Sequence, residues 1–271
     1  MNISYLYIYP IKSLQGISLQ EVEVMEKGFR YDRRWMLVNE ENGHVTQRTH
    51  PHLSQIGVSL SNESIIATHR DMSDLKIPLT LKNGNSVQVT IWDDQVDALE
   101  APKHINEWFS IIAGESCKLV FMPEDGSRPV NPDRAINNDN VSFADAYPYL
   151  IIGQSSLDDL NSRMEVNLPM NRFRPNIVVE GSQPYEEDNW NDIQIGEVKF
   201  HVTHPCKRCV FTTVDQETGK KGSEPLKTLA TYRREGKEVI FGVNALALES
   251  GRIKVGDEVR KSLDGYLQKI E

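Results

Sequence analysis

The amino-acid sequence predicts a mainly β protein with a few short α-helices, organised as two β-rich units. Alternating apolar and polar residues, the pattern of a half-buried strand, recur in short runs such as residues 87–91. Asn-Gly pairs, which are typical of tight hairpin turns, lie between such runs at residues 42–43 and 83–84. A polar stretch rich in Pro, Gly and Asn, residues 123–141, predicts an interdomain linker or a long surface loop between the two units.

The first unit is predicted to consist of strands followed by one helix. Strands are expected at residues 3–9, 35–38, 56–60 and 87–91. Apolar residues spaced i, i+3, i+4 and i+7 predict the helix over residues 103–113. These apolar residues are Ile105, Trp108, Phe109 and Ile112.

The second unit is predicted to contain further strands and two short helices. Strands are expected at residues 149–152, 176–180, 198–202, 210–214, 239–248 and 253–259. One helix follows residues 153–156, with Ser156 as a candidate N-cap and Asp159 as the acid at the third position. The other helix is expected near residues 225–234.

Composition excludes several classes of protein. The 271 residues include 30 Lys and Arg against 39 Asp and Glu, and this net charge of −9 argues against nucleic-acid binding through global basic charge. Hydrophobic residues make up 39%, enough for a sizeable core. We find no signal peptide and no run of about eighteen apolar residues, so we expect a cytoplasmic protein without a membrane partner. Only three cysteines are present, which excludes a disulfide scaffold and fits a reducing compartment.

Two of the cysteines form a Cys206-x-x-Cys209 pair, a spacing found in metal sites. A zinc site normally needs two further Cys or His ligands at comparable spacing, and these are missing. A thioredoxin-like pair would open a helix, whereas residues 210–214 favour a strand. Two ordinary thiols are a further alternative. Lys207 and Arg208 favour a functional pair, because their charge stabilises the thiolate that binds soft metals, and one thiolate is enough if a cofactor supplies the other ligands.

Basic and polar residues recur where predicted strands end, although the chain is acidic overall. Arginines that converge on one pocket suit a phosphate or pterin-phosphate, because guanidinium groups pair bidentately with oxyanions. Arg172 and Arg174 are expected on one face of a strand, and the loop at residues 153–156 offers backbone N–H donors to an anion. Surface salt bridges are the alternative for each arginine. The residues concerned are Lys12, Ser13, Arg33, Arg34, Arg48, Arg172, Arg174 and Asn176.

Several motifs resemble the MOSC family, which is named for the C-terminal part of molybdenum cofactor sulfurase. In the second unit they are Phe173-Arg174-Pro175-Asn176, Cys209-x-x-Thr212-Thr213-Val214-Asp215, Thr218-Gly219, Glu224-Pro225-Leu226, Phe241-Gly242 and Ile253-Lys254-Val255-Gly256-Asp257. The first unit resembles the β-barrel domain that precedes MOSC in the branch containing the mitochondrial amidoxime reducing component. Its matching motifs are Tyr9-Pro10-Ile11-Lys12-Ser13, Asp32-Arg33-x-Trp35 and Val45-Thr46-x-Arg48.

The resemblance implies an N-terminal MOSC-associated β-barrel domain over residues 1–122 and a MOSC β-barrel domain over residues 123–262. It also implies the molybdenum cofactor, molybdopterin carrying molybdenum, with Cys209 as catalytic residue and metal ligand. Pyridoxal phosphate binding is a further label of the family. Together with the strand-end pattern, the resemblance assigns the cofactor to Lys12, Ser13, Arg33, Thr46, Arg48, Ser156, Arg174, Asn176, Cys209 and Thr212.

The reaction that the resemblance implies is two-electron reduction of N-hydroxylated compounds, namely amidoximes, hydroxylamines and N-hydroxylated base analogues. Some bacterial relatives carry a plant-type iron–sulfur domain, but this sequence has no cysteine after Cys209. We therefore expect electrons from a separate ferredoxin-, flavodoxin- or cytochrome b5-like protein. The competing function is a molybdopterin-binding or sulfur-carrier module without substrate reduction, because a reactive thiolate also carries sulfur.

Overall fold

The computed structural model describes residues 1–262, and most of its regular structure is strand, which confirms the mainly β prediction. In chain order, the strands of this range are β1 (Asn2–Ile8), β2 (Ile17–Leu19), β3 (Glu21–Met25), β4 (Gly28–Phe29), β5 (Trp35–Val38), β6 (Gly57–Leu60), β7 (Ser64–His69), β8 (Met72–Pro78), β9 (Ser86–Ile91), β10 (Asp94–Glu100), β11 (Lys118–Phe121), β12 (Tyr149–Gly153), β13 (Ile177–Glu180), β14 (Asp192–Ile195), β15 (Val198–Arg208), β16 (Arg234–Glu235), β17 (Glu238–Ala247), β18 (Gly251–Lys254) and β19 (Val259–Lys261). The α-helices are α1 (Lys103–Ala113), α2 (Gln154–Ser162) and α3 (Leu226–Leu229). Short 3-10 helices lie at Pro51–Gln55, Met170–Arg172, Glu186–Asn189 and Val210–Thr213.

The largest sheet draws strands from both ends of the chain. Its order is β19-β14-β15-β17-β12-β13-β1-β2, with β16 also paired to β17. Strands β12 and β13 run parallel, and α2 makes the connection between them, as a parallel pair requires. Strand β1 pairs antiparallel with β13, so a strand from the first unit lies in the sheet of the second.

Three smaller sheets complete the fold. They are β5-β11-β10-β9, β6-β7-β8 and β18-β3-β4. The last of these again joins distant segments, because β18 pairs with β3 over Gly251–Lys254 and Glu21–Val24. Backbone hydrogen bonds between strands therefore connect the two units of the sequence.

The core consists of several clusters of buried apolar side chains. One cluster of buried side chains includes Leu6, Tyr149, Ile151 and Phe200, contributed by strands of the largest sheet. A second cluster surrounds Trp35. Helix α1 packs against this cluster with the apolar face that its residue spacing predicts. The predicted strands at residues 3–9, 35–38, 56–60, 87–91, 149–152 and 176–180 are confirmed to within about two residues. The strand predicted at 198–202 begins at Val198 as expected but continues to Arg208, six residues beyond its predicted end.

Residues 210–214 were predicted as a strand, and this prediction is wrong. Val210–Thr213 is a 3-10 helix, because the hydroxyls of Thr212 and Thr213 donate to the carbonyls of Cys209 and Val210 three residues earlier. Threonine is a strand former, but its hydroxyl competes for local backbone partners.

The predicted boundaries of other elements also change. Helix α3 covers only Leu226–Leu229, since the chain then turns into the β16–β17 hairpin through Gly236 at φ +60°. The predicted closing strand at 253–259 is two strands, β18 and β19, separated by Gly256 at φ +90°. Helix α2 begins after an N-cap at Gly153, so Ser156 lies inside its first turn and is not the N-cap.

We expect Tyr149→Phe to destabilise the protein by about 1–3 kcal/mol, the cost of leaving buried backbone groups unpaired. The fully buried Tyr149 hydroxyl accepts a hydrogen bond from Met25 N at 3.1 Å and donates one to Met25 O at 2.5 Å. Equilibrium denaturation with urea measures the change in the free energy of unfolding. Tyr5→Phe is the matched control, because the Tyr5 side chain is 48% exposed. Equal effects of the two substitutions would contradict the prediction.

Candidate functional site

A cavity of about 230 Å³, here called the inner cavity, opens where the turn after β1, the start of β13 and the end of β15 meet. Seven of the residues predicted to bind a cofactor line it, although they come from distant parts of the sequence. These residues are Lys12, Ser13, Arg33, Arg174, Asn176, Cys209 and Thr212. The fold thus brings together the strand-end motifs of both units.

Two arginines of the inner cavity are fixed against one buried aromatic ring. The guanidinium carbons of Arg33 and Arg174 lie 4.4 Å and 4.0 Å from the ring centroid of Tyr9. The Tyr9 hydroxyl donates to Pro175 O at 3.0 Å, and Arg174 Nη1 donates to Leu14 O at 2.6 Å. Burial lowers the pKa of Arg174 to about 10, so it stays charged at neutral pH.

A three-residue ion cluster forms another wall of the cavity. Asp145 accepts from Lys12 Nζ at 2.5 Å and from Arg48 Nη2 at 2.7 Å, one bond to each carboxylate oxygen. The Asp145 side chain is 53% exposed within the concave site. Partial loss of solvent there acts to raise the pKa of Asp145, but the charges and hydrogen bonds of Lys12 and Arg48 outweigh this effect and hold the pKa well below its usual range. Burial lowers the pKa of Lys12 to about 8 despite its contact with Asp145. The cluster is therefore ionised at neutral pH, with two cations for one carboxylate.

Three residues of the inner cavity have left-handed backbones that side chains rarely adopt. Ser13, Arg33 and Arg174 have φ of 70°, 50° and 54°. Such conformations cost free energy and concentrate at binding and catalytic sites. Ser13 lines the cavity, and its hydroxyl is buried and lacks a hydrogen-bond partner within residues 1–262. An unpaired buried hydroxyl is costly unless a ligand pairs with it.

The cysteine segment forms the rim of the cavity. The Cys209 side chain belongs to an exposed residue, immediately before the 3-10 helix at Val210–Thr213, whereas Cys206 is partly buried and accepts from Arg208 Nη1 at 3.1 Å. Arg208 Nη2 also donates to Phe173 O at 2.6 Å, which ties the segment to the inner cavity. Burial lowers the pKa of Arg48, but the negative charge of the Asp145 carboxylate, followed by that of the Cys209 thiolate, raises it overall. Arg48 therefore remains a cation at this end of the site.

Arg172 and Arg174 do not share a strand face as predicted. Arg172 ends a 3-10 helix and Arg174 is left-handed, so their side chains diverge before β13 begins. Arg172 Nη2 donates to Asp215 Oδ2 at 2.7 Å, and Asp215 in turn accepts from Thr218 N at 2.8 Å. Arg172 therefore braces the loop after Cys209 and leaves Arg174 to line the cavity.

Three other predicted residues lie outside the inner cavity. Ser156 is fully buried, and its hydroxyl is held by the carboxylate of Glu187 at 2.7 Å, which leaves no room for an anion there. Thr46 is buried, and its hydroxyl accepts from Arg48 N at 3.2 Å, which shapes the turn. Arg48 reaches the site through Asp145 and lines a neighbouring cavity.

Sequence reasoning missed several lining residues, among them Asp145, Tyr147, His204 and Asn244. The apolar run at 149–152 and the alternation at 198–202 predicted two strands, but nothing local indicated that residues just outside these runs face one cavity. No group of three or more His, Cys, Asp or Glu within residues 1–262 could hold a metal ion, which disfavours the zinc alternative. A protein thiolate could bind metal here only together with ligands from a cofactor.

A second cavity, here called the outer cavity, adjoins the inner one and has a volume of about 880 Å³. Both cavities are lined by Asp145, Ala146, Tyr147, His204, Lys207 and Cys209. Cys209 therefore stands at the boundary between a small, cationic chamber and a larger, more open one.

Comparison with known proteins places both halves of the chain. The MOSC N-terminal beta barrel domain matches residues 1–116, and the MOSC domain matches residues 138–260. Mitochondrial amidoxime-reducing component 1 of Mus musculus is 37% identical over 95% of this chain and 81% of its own length. The Homo sapiens protein of the same name is 32% identical over 95% and 82%. The crystal structure of the YuaD protein from Bacillus subtilis aligns at 9% identity with a TM-score of 0.41, covering 95% of this chain and 93% of its own.

The sequence predicts no membrane-spanning segment, and the helices of the structure bear on this prediction. Within residues 1–262, no helix is both long enough and apolar enough to cross a membrane.

We expect the protein without cofactor to bind sulfate more weakly as the pH rises through about 8, because Lys12 then loses its charge. Losing one unit charge beside a bound dianion should weaken binding about tenfold or more at an effective dielectric constant near 20. Calorimetric titration between about pH 6.5 and about pH 9.5 measures this, since sulfate keeps its charge throughout. Lys12→Met should abolish the pH dependence, whereas Lys103→Met, at a lysine 89% exposed on α1, should retain it. Affinity independent of pH in the unmodified protein would contradict the assignment.

Proposed function

This chain belongs to the family that joins a MOSC N-terminal β-barrel domain to a MOSC domain, and we propose that it is a molybdenum-cofactor enzyme that reduces N-hydroxylated compounds. One observation carries the proposal: the thiol-bearing residue Cys209 stands where a cationic chamber meets a larger open cavity. Relatives that are 30–37% identical over most of this chain are named amidoxime-reducing components. The inner cavity suits a phosphate-bearing cofactor, and the outer cavity leaves room for a substrate.

The residues of the inner cavity fit molybdopterin. Lys12, Arg33 and Arg174 supply positive charge for a phosphate, and arginine pairs with phosphate oxygens through two parallel hydrogen bonds. The unpaired Ser13 hydroxyl offers one further hydrogen bond. Because residues 1–262 contain no group of three metal ligands, a single thiolate at Cys209 requires the dithiolene of the cofactor to complete a sulfur set.

The roles of the chain's own residues follow from their contacts. Cys209 would ligate the metal from the rim, with Thr212 N and Oγ1 bonded to its carbonyl at 3.1 Å and 3.0 Å to fix the backbone. Lys12, Arg33 and Arg174 would hold the phosphate, and Asn176 would line the pterin pocket while bridging Asp32 and Tyr7 O. The bound cofactor supplies the two-electron exchange, and the protein supplies position and charge.

Each turnover consumes two electrons and two protons, converting an N–OH group into N–H and releasing water. Burial lowers the pKa of Lys12 to about 8, so Lys12 stays protonated at neutral pH and keeps its positive charge for the phosphate. Asp145 remains ionised and fixes the positions of Lys12 and Arg48. The protein thus keeps a fixed arrangement of charges in the cavity that Cys209 borders.

The electrons are proposed to come from a separate protein of the ferredoxin, flavodoxin or cytochrome b5 type. The three cysteines of this sequence are fewer than the four that a plant-type iron–sulfur cluster takes. We also infer a cytoplasmic location, which cell fractionation tests.

We expect the protein made in a host that synthesises molybdopterin to carry about one molybdenum per chain, and Cys209→Ser to lose it because hydroxyl oxygen is a poor ligand for a soft metal. Elemental analysis measures the metal. Cys206→Ser is the matched control and should keep most of the molybdenum, since Cys206 Sγ is already engaged by Arg208 at 3.1 Å. Zinc in place of molybdenum would overturn the proposal.

Activity separates the reductase from the alternative of a cofactor or sulfur carrier. With a chemically reduced dye as electron source, the molybdenum-loaded protein should convert benzamidoxime to benzamidine, and Cys209→Ser should lack this activity. Molybdenum binding without any substrate reduction would favour the carrier function.

A further inference from the structure

We propose that the outer cavity is the substrate-binding site and that the exposed ring of Trp92 is its platform for flat, conjugated N-hydroxylated compounds. The inference deepens the proposed function and rests on it, because it assigns the substrate class of the same site. A volume of about 880 Å³ lies within the range of small-molecule pockets, roughly 300–1,000 Å³. A compound bound there would have its reactive end at Cys209, the residue that both cavities share.

Trp92 differs from the other tryptophans in its exposure. It is 46% exposed in the wall of the outer cavity, whereas Trp35, Trp108 and Trp190 are at most 7% exposed. A large exposed aromatic side chain loses hydrophobic stabilisation, so its place in a cavity wall points to a ligand that covers it.

The backbone conformation of Trp92 is also energetically unfavourable. Trp92 takes the first position of the two-residue loop that joins β9 to β10, with φ of +56°. Glycine is favoured where this position is left-handed, and a bulky residue there is strained. Strain of this kind accompanies functional sites, and here it aims an aromatic ring at the cavity.

Contacts link the ring directly to the reactive end of the site. The guanidinium carbon of Arg48 lies 4.7 Å from the Trp92 ring centroid and 5.4 Å from that of Phe211. The same guanidinium group bonds to Asp145 at 2.7 Å, and Arg48 lines the outer cavity together with Cys209. A flat compound lying along Trp92 would therefore extend toward Asp145 and Cys209.

The far end of the cavity suits the polar head of an amidoxime. The half-exposed Asp145 carboxylate can accept an N–H from the head, which a carboxylate does well. Tyr147 and His204, whose rings meet edge to face at 4.9 Å, add aromatic surface at the same boundary. Burial, followed by the charges of Arg134 and Lys207, lowers the pKa of His204 and keeps it neutral. An aromatic ring on Trp92 with its N-hydroxylated group at Asp145 matches this distribution.

Steady-state kinetics with the molybdenum-loaded enzyme and a reduced dye tests the platform. In Trp92→Gly, we expect KM for benzamidoxime to rise about tenfold, the size of a lost aromatic contact, while kcat and the KM for acetamidoxime stay within about twofold. Trp92→Phe should be intermediate. Because glycine relieves the left-handed backbone, the melting temperature of Trp92→Gly should be unchanged or higher. Tyr5→Ala, at an exposed aromatic residue outside both cavities, is the control and should leave the selectivity unchanged.

An equal loss for both substrates in Trp92→Gly would overturn the proposal, because the ring would then only support Arg48. Acrylamide quenching of tryptophan fluorescence gives a readout without turnover, as Trp92 is far more exposed than the three other tryptophans. Benzamidine should protect this fluorescence from quenching, acetamidine should not, and Trp92→Phe should remove the quenchable signal. If benzamidine protects the fluorescence of a protein that reduces no substrate, the role of Trp92 in binding is supported and the proposed reductase activity is contradicted. If benzamidine gives no protection, the role of Trp92 is contradicted even in an active enzyme.

Discussion

Arg33 and Arg174, which both pack on the Tyr9 ring, repel each other, and burial removes the water that would screen their charges. Asp32, which is fully buried, compensates for this arrangement. Its carboxylate accepts from Tyr9 N at 2.7 Å, from Arg33 Nη1 at 2.5 Å and from Asn176 Nδ2 at 3.1 Å. The same group therefore fixes the end of β1, the turn before β5 and the start of β13. The shape and the positive charge of the inner cavity depend on this one buried carboxylate.

The distribution of charge explains how an acidic protein presents a cationic site. The chain carries a net charge of −9, yet the inner cavity is lined by Lys12, Arg33, Arg174 and Arg208, with Asp145 as the acid among its lining residues. Several other acids form ion pairs on the surface, such as Glu23 with Arg30 and Glu21 with Arg252, and surface ion pairs contribute little to stability. Field lines are focused in a concave site with low-dielectric walls, so an anionic ligand experiences the local charge more than the net charge.

Much of this arrangement was predictable from the sequence, because short motifs report local chemistry. Lys12, Arg33 and Arg174 were assigned to one pocket and do line one cavity. What the motifs could not supply were contacts set by long-range pairing, such as Asp145 between Lys12 and Arg48. The positions of turns were also only partly predictable. Asn83-Gly84 predicted a hairpin, but it joins β8 and β9, which lie in different sheets. The hairpin in this region is formed by β9 and β10, and its turn begins at Trp92. Local propensity marks where the chain bends, and tertiary packing decides which strands then pair.

The pairing of β3 with β18 has a consequence for how the protein folds during synthesis. Strand β3 ends at Met25, but its partner Gly251–Lys254 is made more than two hundred residues later. Strand β1 likewise waits for β13. The opening strands thus emerge from the ribosome with unpaired edges, and contacts of this sequence separation slow folding and expose the chain to aggregation. Completion of the last strands, rather than of the first unit, closes the structure.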